Sequence, residues 1–158
     1  MFRNQVQEIA VKAAALKIII VGAGKVGSTL AEQLSKEGND ITIIDSNRNK
    51  VQELTNRLDI MGIVGNGASF SKLDDAGIQE ADLFIAVTRS DELNLLCCTI
   101  AKRSSDVASI ARVRSPEYSA EIAFLRERLG LAMVINPDLE LAREASRILY
   151  LPSALEVN

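Results

Sequence analysis

The sequence predicts an α/β fold: a Rossmann-like, doubly wound parallel sheet of six strands in the order 3-2-1-4-5-6. Three observations predict it. Short apolar runs alternate with amphipathic stretches along residues 17–150. The runs are nearly continuous in Ile, Val, Leu and Ala instead of alternating with polar residues, which is how parallel strands covered on both faces read. A glycine-rich turn also joins the first run to the first amphipathic stretch, the place where such folds hold phosphates.

Each element follows in order. Strands are expected at Lys17–Val21, Asp40–Ile44, Ile60–Val64, Asp82–Val87, Val107–Arg112 and Leu131–Ile135. Val26, Leu30 and Leu34 recur every four residues, and Gly38 follows as a C-terminal stop, so the first helix lies between strands one and two. Val51, Leu54 and Leu58 mark a second helix. Leu73 and Ala76, closed by Gly77, mark a short third. Leu93, Cys97, Ile100 and Ala101 mark a fourth. Ser115-Pro116-Glu117 supplies a capping hydroxyl, a proline at the first helical position and an acid in the first turn. Asn136-Pro137-Asp138 repeats that chemistry for a last helix. Six strands alternating with six helices require right-handed crossovers, and these produce the doubly wound order.

Residues 17–150 contain no linker, repeat or low-complexity segment. Residues 1–16 carry a weak apolar stripe at Val6, Ile9, Ala13 and Leu16, and read either as an extra helix or as an artificial extension. Pro152 stops the last helix, so residues 151–158 read as the start of a connection to a further segment.

Composition removes several chemistries. The 158 residues are 47% hydrophobic and 25% charged, which is ordinary globular usage. A net charge of −3 gives no basic excess for nucleic acid. The chain has no histidine. Ser-His-Asp and Cys-His catalysis, His-ligated zinc and an imidazole proton shuttle are therefore excluded, and no catalytic or metal-binding residue is expected. Cys97 and Cys98 are adjacent in an apolar stretch and read as small core residues in a reducing compartment. The longest apolar runs are strand-length, far below the ~20 residues of a spanning helix. The N-terminus lacks a continuous apolar signal region. A cytoplasmic location without direct membrane insertion follows as the expectation.

The sharpest motif is Gly22-Ala23-Gly24-Lys25-Val26-Gly27. Gly22 makes the tight turn out of the first strand. Gly24 lets the backbone approach a pyrophosphate. Gly27 allows close packing of helix on sheet, and the helix N-terminus faces the phosphates. The second strand runs into Asp45, 18 residues after Gly27. A carboxylate there accepts hydrogen bonds from ribose hydroxyls and repels a 2′-phosphate, which favours NAD over NADP. Arg48 either softens that repulsion or is a solvated charge on the second helix. The small residues Gly65-Asn66-Gly67 after the third strand would leave room for an adenine. Thr88 follows the fourth strand, where Ser90 or Asp91 reads as a helix cap. Arg112 and Arg114 share a face of the fifth strand, so both guanidiniums can aim at one anionic group.

The runs KIIIVGAGKVGSTLAEQLSKEGNDITIID, DLFIAVTRSDELNLLCCTIAKR and IARVRSPEY resemble the N-terminal nucleotide-binding lobe of the RCK, or KTN, family (TrkA-N), which gates potassium channels and transporters. The resemblance covers residues 17–152. The glycine motif is shared with many dehydrogenases, whereas the pairing of IAVT-x-x-D-E-x-N with IAR-x-RSPEY is much more specific. The resemblance implies a regulatory domain that binds NAD or NADH, with ATP or ADP as the alternative. It implies a phosphate loop at Gly22, Ala23, Gly24, Lys25 and Val26, a ribose acid at Asp45, contacts at Thr88 and Arg89, and an arginine of the site at Arg112. It implies a Trk-type membrane potassium transporter subunit as partner, peripheral attachment at the inner face of the cell membrane, and homo-oligomers formed through the last helix, Pro137 to Tyr150. Leu141, Ala142, Ala145, Ile148 and Leu149 give that helix a broad apolar face, as burial on two sides requires. The competing reading is an NAD-dependent oxidoreductase domain. No second domain is present to hold a substrate, and Lys25 lies where a phosphate contact explains it.

Overall fold

The computed structural model describes residues 15–131 and 133–135. Six parallel strands form one sheet: β1 Lys17–Val21, β2 Asp40–Asp45, β3 Met61–Val64, β4 Leu83–Ala86, β5 Ala108–Arg112 and β6 Met133–Ile135. Their order is β3-β2-β1-β4-β5-β6, as expected from the sequence. β1 sits at the centre, pairing Val21 with Ile44 of β2 on one side and with Ala86 of β4 on the other. The chain therefore reverses direction of winding between β1 and β4, the switch point at which such sheets open a crevice at the carboxyl ends of their strands.

The helices are α1 Lys25–Lys36, α2 Arg48–Arg57, α3 Phe70–Asp75, α4 Asp91–Ser105, α5 Pro116–Ser119 and α6 Ile122–Leu129. The helical segments differ from expectation in two respects. A 3-10 turn, Ile78–Glu80, follows α3 and drives Ile78 fully into the core. The segment opened by Ser115 and Pro116 is two helices, α5 and α6, instead of one. The expected helix at Asn136-Pro137-Asp138, the oligomerising stretch to Tyr150, the apolar stripe at Val6, Ile9 and Ala13, and residues 151–158 lie outside the described residues.

Strand residues alternate between two cores. Ile18, Ile20, Ile41 and Ile43 pack with Leu30 and Leu34 of α1 and Val51 and Leu54 of α2. Ile19, Val21, Phe84 and Ala86 face the other way, onto Leu73, Ile78, Cys97, Cys98 and Ala101. Both faces of β1 are dry, which is why its sequence is an unbroken apolar run. Each such side chain stabilises the fold by roughly 1.5–3 kcal/mol through burial. β3 departs from this pattern because it is an edge strand, with Met61 62% exposed. Cys97 and Cys98 are core residues as expected. Burial pushes the Cys97 thiol up to about 12 and that of Cys98 well above the ordinary range, and Cys98 donates to the Ile110 carbonyl at 3.3 Å.

Candidate functional site

A cleft of about 940 Å³ opens over the carboxyl ends of β1, β2, β4 and β5. Gly22, Ala23, Gly24, Lys25, Val26, Asp45, Thr88, Arg89 and Arg112 all line it. Those residues are the ones the sequence selected, together with Gly27, which has a different place. Gly27 is buried under the loop: a Cβ there would lie 1.7 Å from the Gly22 carbonyl oxygen. Its smallness lets α1 start directly against the turn.

The other two glycines are used in two further ways. Gly22 has φ +113°, a conformation L side chains rarely adopt, and its amide donates to the Ile44 carbonyl at 2.8 Å. The turn is thus tied to β2. Gly24 has an ordinary φ of −78°, and a Cβ there meets nothing within 4 Å. Neither the backbone nor any neighbour requires glycine at this position. What it keeps open is the space in front of the α1 N-terminus, where unsatisfied N–H groups favour an anion.

Asp45 is held beside this loop. Its Oδ2 accepts from the Ala23 amide at 2.7 Å and its Oδ1 from the Asn47 amide at 2.7 Å. A carboxylate offers about four acceptor positions, so two remain for donors in the cleft. Three arginines, Arg89, Arg112 and Arg114, share the lining with Asp45. Arg112 Nη1 lies 3.4 Å from the carbonyls of Val87 and Thr88, and Arg114 Nη2 lies 3.4 Å from the carbonyl of Arg89. Arg112 and Arg114 both line the cleft, but β5 ends at Arg112 and Arg114 lies in the loop that follows, so the two do not share a strand face as expected.

Several residues were not anticipated. Ser28, Lys50, Glu53, Leu54 and Arg57 extend the cleft along the groove between α1 and α2. They belong to helix faces that periodicity marks only as apolar or solvated. Arg48, considered as a modifier of Asp45, is exposed and lies outside the lining. The Gly65-Asn66-Gly67 turn is also outside it. A Cβ at Gly67 would lie 2.4 Å from the Val21 side chain, and one at Gly65 would lie 2.8 Å from the Lys72 side chain. Ser90 caps α4, accepting from the Leu93 amide at 3.1 Å. Asp91 instead reaches across to the loop after β5. Among the described residues no group of three or more Cys, Asp and Glu side chains is placed to hold a metal ion. No helix there is long and apolar enough to cross a membrane.

Residues 18–137 match the model of the TrkA-N domain. The chain belongs to the TrkA-N domain family. This TrkA-N domain is 40% identical over 144 residues to the Trk system potassium uptake protein TrkA of Halomonas elongata, covering 90% of this chain and 32% of that protein. A TrkA homolog from Archaeoglobus fulgidus is 39% identical over 142 residues, with the same coverage of 90% and 32%. The chain thus spans about a third of the length of these curated relatives. Among solved structures, the TrkA-N domain of the inner membrane protein YbaL from Escherichia coli superposes with a TM-score of 0.69 at 26% identity, covering 85% of this chain and 97% of that one. The GsuK channel bound to NAD superposes with a TM-score of 0.65 at 20% identity, covering 77% of this chain and 21% of that one, a likeness of fold.

Proposed function

We propose that this TrkA-N domain is the nucleotide-sensing lobe of a regulator of potassium uptake. It binds NAD or NADH in the β1–β2–β4–β5 cleft, with ATP or ADP as the alternative ligand, and transmits the bound state to a membrane potassium transporter. The observation that carries this reading is the coupling of Asp45 to the glycine loop through the 2.7 Å bond from the Ala23 amide. That bond fixes an acceptor for ribose hydroxyls at a set position beside the phosphate cradle that Gly24 leaves open.

The roles follow from the chemistry. Backbone N–H groups of Gly24, Lys25 and Val26 receive phosphate groups, the Gly22 and Ala23 amides being bonded to Ile44 and Asp45, and Lys25 adds a cation. Asp45 accepts from the ribose and disfavours a 2′-phosphate. Arg89, Arg112 and Arg114 stabilise negative charge on the far side. A bound dinucleotide would supply hydride chemistry only to a partner substrate, and this lining offers no imidazole because the chain has no histidine. Regulation requires only that the nucleotide bind two assembly states with different affinity. The domain then acts at the cytoplasmic face of the membrane, through a transporter subunit, as a homo-oligomer joined by the stretch Pro137 to Tyr150. Support for the ligand class comes from the fold shared with GsuK bound to NAD and GsuK bound to ADP.

Calorimetric titration with NAD, NADH, ATP and ADP tests the proposal. Saturable binding of at least one below millimolar concentration is expected, without turnover of hydroxy acids in the presence of NAD. Absence of binding by all four at millimolar concentration overturns the site, and steady turnover overturns the regulatory role in favour of an oxidoreductase.

A further inference from the structure

Resting on the nucleotide reading above, we infer that Asn94 and Asp91, in the first turn of α4, are positioning residues that shape the arginine wall of the cleft. Through it they set affinity for the part of the ligand beyond the adenylate.

Asn94 is fully buried. Its Oδ1 accepts from the Thr88 amide at 2.8 Å and from the Thr88 hydroxyl at 2.7 Å. Its Nδ2 donates to the Thr88 carbonyl at 3.1 Å and to the Arg112 carbonyl at 2.9 Å. An amide side chain has two acceptor positions and two N–H donors, and all four are used. Nothing is left over for a ligand, so Asn94 acts through Thr88 and Arg112. Aspartate lacks the two donors and glutamine is one methylene too long, so the pattern is specific to asparagine. A polar side chain in a core is unfavourable unless its bonds are made, and an apolar residue would fill the same space. The use of asparagine here therefore points to a need to fix the two strand ends.

Asp91 does the same for the next residues. It is 9% exposed, with Oδ1 accepting from the Arg114 amide at 3.0 Å and Oδ2 from the Ser115 amide at 2.7 Å. Together, the two side chains fasten one turn of α4 to the end of β4 and to the loop after β5. The Arg112 guanidinium lies against the Val87 and Thr88 carbonyls and that of Arg114 against the Arg89 carbonyl. The positions of the arginines thus follow the backbone that Asn94 and Asp91 hold. Asp45, by contrast, is held by Ala23 and Asn47. A defect at Asn94 should therefore spare an adenylate and weaken longer ligands.

The test titrates the 158-residue chain and its Asn94→Asp and Asp91→Asn variants with AMP, NADH and ATP. Expected is an AMP affinity within about two-fold of the parent and NADH and ATP affinities about ten-fold lower, the scale of one charge-assisted hydrogen bond. Unchanged affinity for all three ligands in folded variants overturns the inference. So does a parallel fall for all three, which marks a general loosening of the fold. If the parent binds none of the three, the nucleotide reading itself fails. If it binds them and the variants bind all three with unchanged affinity, only the positioning role fails. Hydrogen exchange on the parent gives a reading that needs no variant: NADH or ATP, and not AMP, slows the amides of Thr88, Arg114 and Ser115. Equal slowing by AMP contradicts the assignment.

Discussion

The two walls of the cleft are built by different means. The β2 wall is a single carboxylate, Asp45, fixed by main-chain donors from the glycine loop and from Asn47. The β4–β5 wall carries Arg89, Arg112 and Arg114, and its backbone is fixed by buried side chains of α4. The first wall is complete within one β-α-β unit. The second exists only once α4 has docked against β4 and β5. A ligand that spans both walls joins parts of the domain that are otherwise held independently. A difference in nucleotide can therefore become a difference in geometry, the property a sensor needs.

Mutations can break this comparison in graded ways. The largest effect is expected for Gly27→Ala, which places a carbon 1.7 Å from the Gly22 oxygen and so displaces the phosphate loop to which Asp45 is bonded. A loss of about 3 kcal/mol, the upper end for overpacking, and loss of all nucleotide binding should appear in denaturant melts and titrations. Asp45→Ala should weaken AMP and NADH alike, by about ten-fold or more. A fall confined to NADH would reverse the assignment of the walls. Arg112→Gln should lower NADH and ATP affinity several-fold and leave AMP unchanged, since it removes one charged contact from the far wall. Smaller still is the expected reactivity of the thiols. With Cys97 pushed up to about 12 and Cys98 higher, a maleimide at pH 8 should label the folded chain hardly at all and the unfolded chain fully, as mass spectrometry can show.

The smallest effect concerns acid. The Arg57 and Lys36 side chains hold Glu32 below its usual range, and a hydrogen bond from Tyr118 does the same for Glu92. Lowered folded values contribute stability that is present above the unfolded value, near 4.3, and lost as the pH falls through the folded one. Both groups are exposed, so melts between pH 6 and pH 3 should show only a shallow decline from this source.

The sheet order and the β2 wall were readable in the sequence because their determinants are local. A turn needing a positive φ at Gly22, a close approach at Gly27 and a carboxylate at the end of β2 all lie within one short stretch. Even so, the bond from Ala23 to Asp45 was not foreseen. The β4–β5 wall was readable only in part. Arg112 and Arg114 were paired by strand periodicity, but their support was not, because Asn94 and Asp91 reach across 18 to 24 residues. The start of α4 offered Ser90 or Asp91 as its cap; Ser90 fills that role, and Asp91 reaches across to the loop after β5.

Amide chemical-shift mapping during a titration with NADH addresses the site most directly. Saturating shifts are expected at residues 22–27, 45–47, 88–94 and 112–115, with Glu127 to Gly130, which lie beside the C-terminal end of α4 and outside the cleft, unmoved. Shifts centred instead on the separate groove that Lys102 to Asp106 form with Glu127 to Gly130, or none at millimolar NADH and ATP, would contradict a nucleotide site in this cleft.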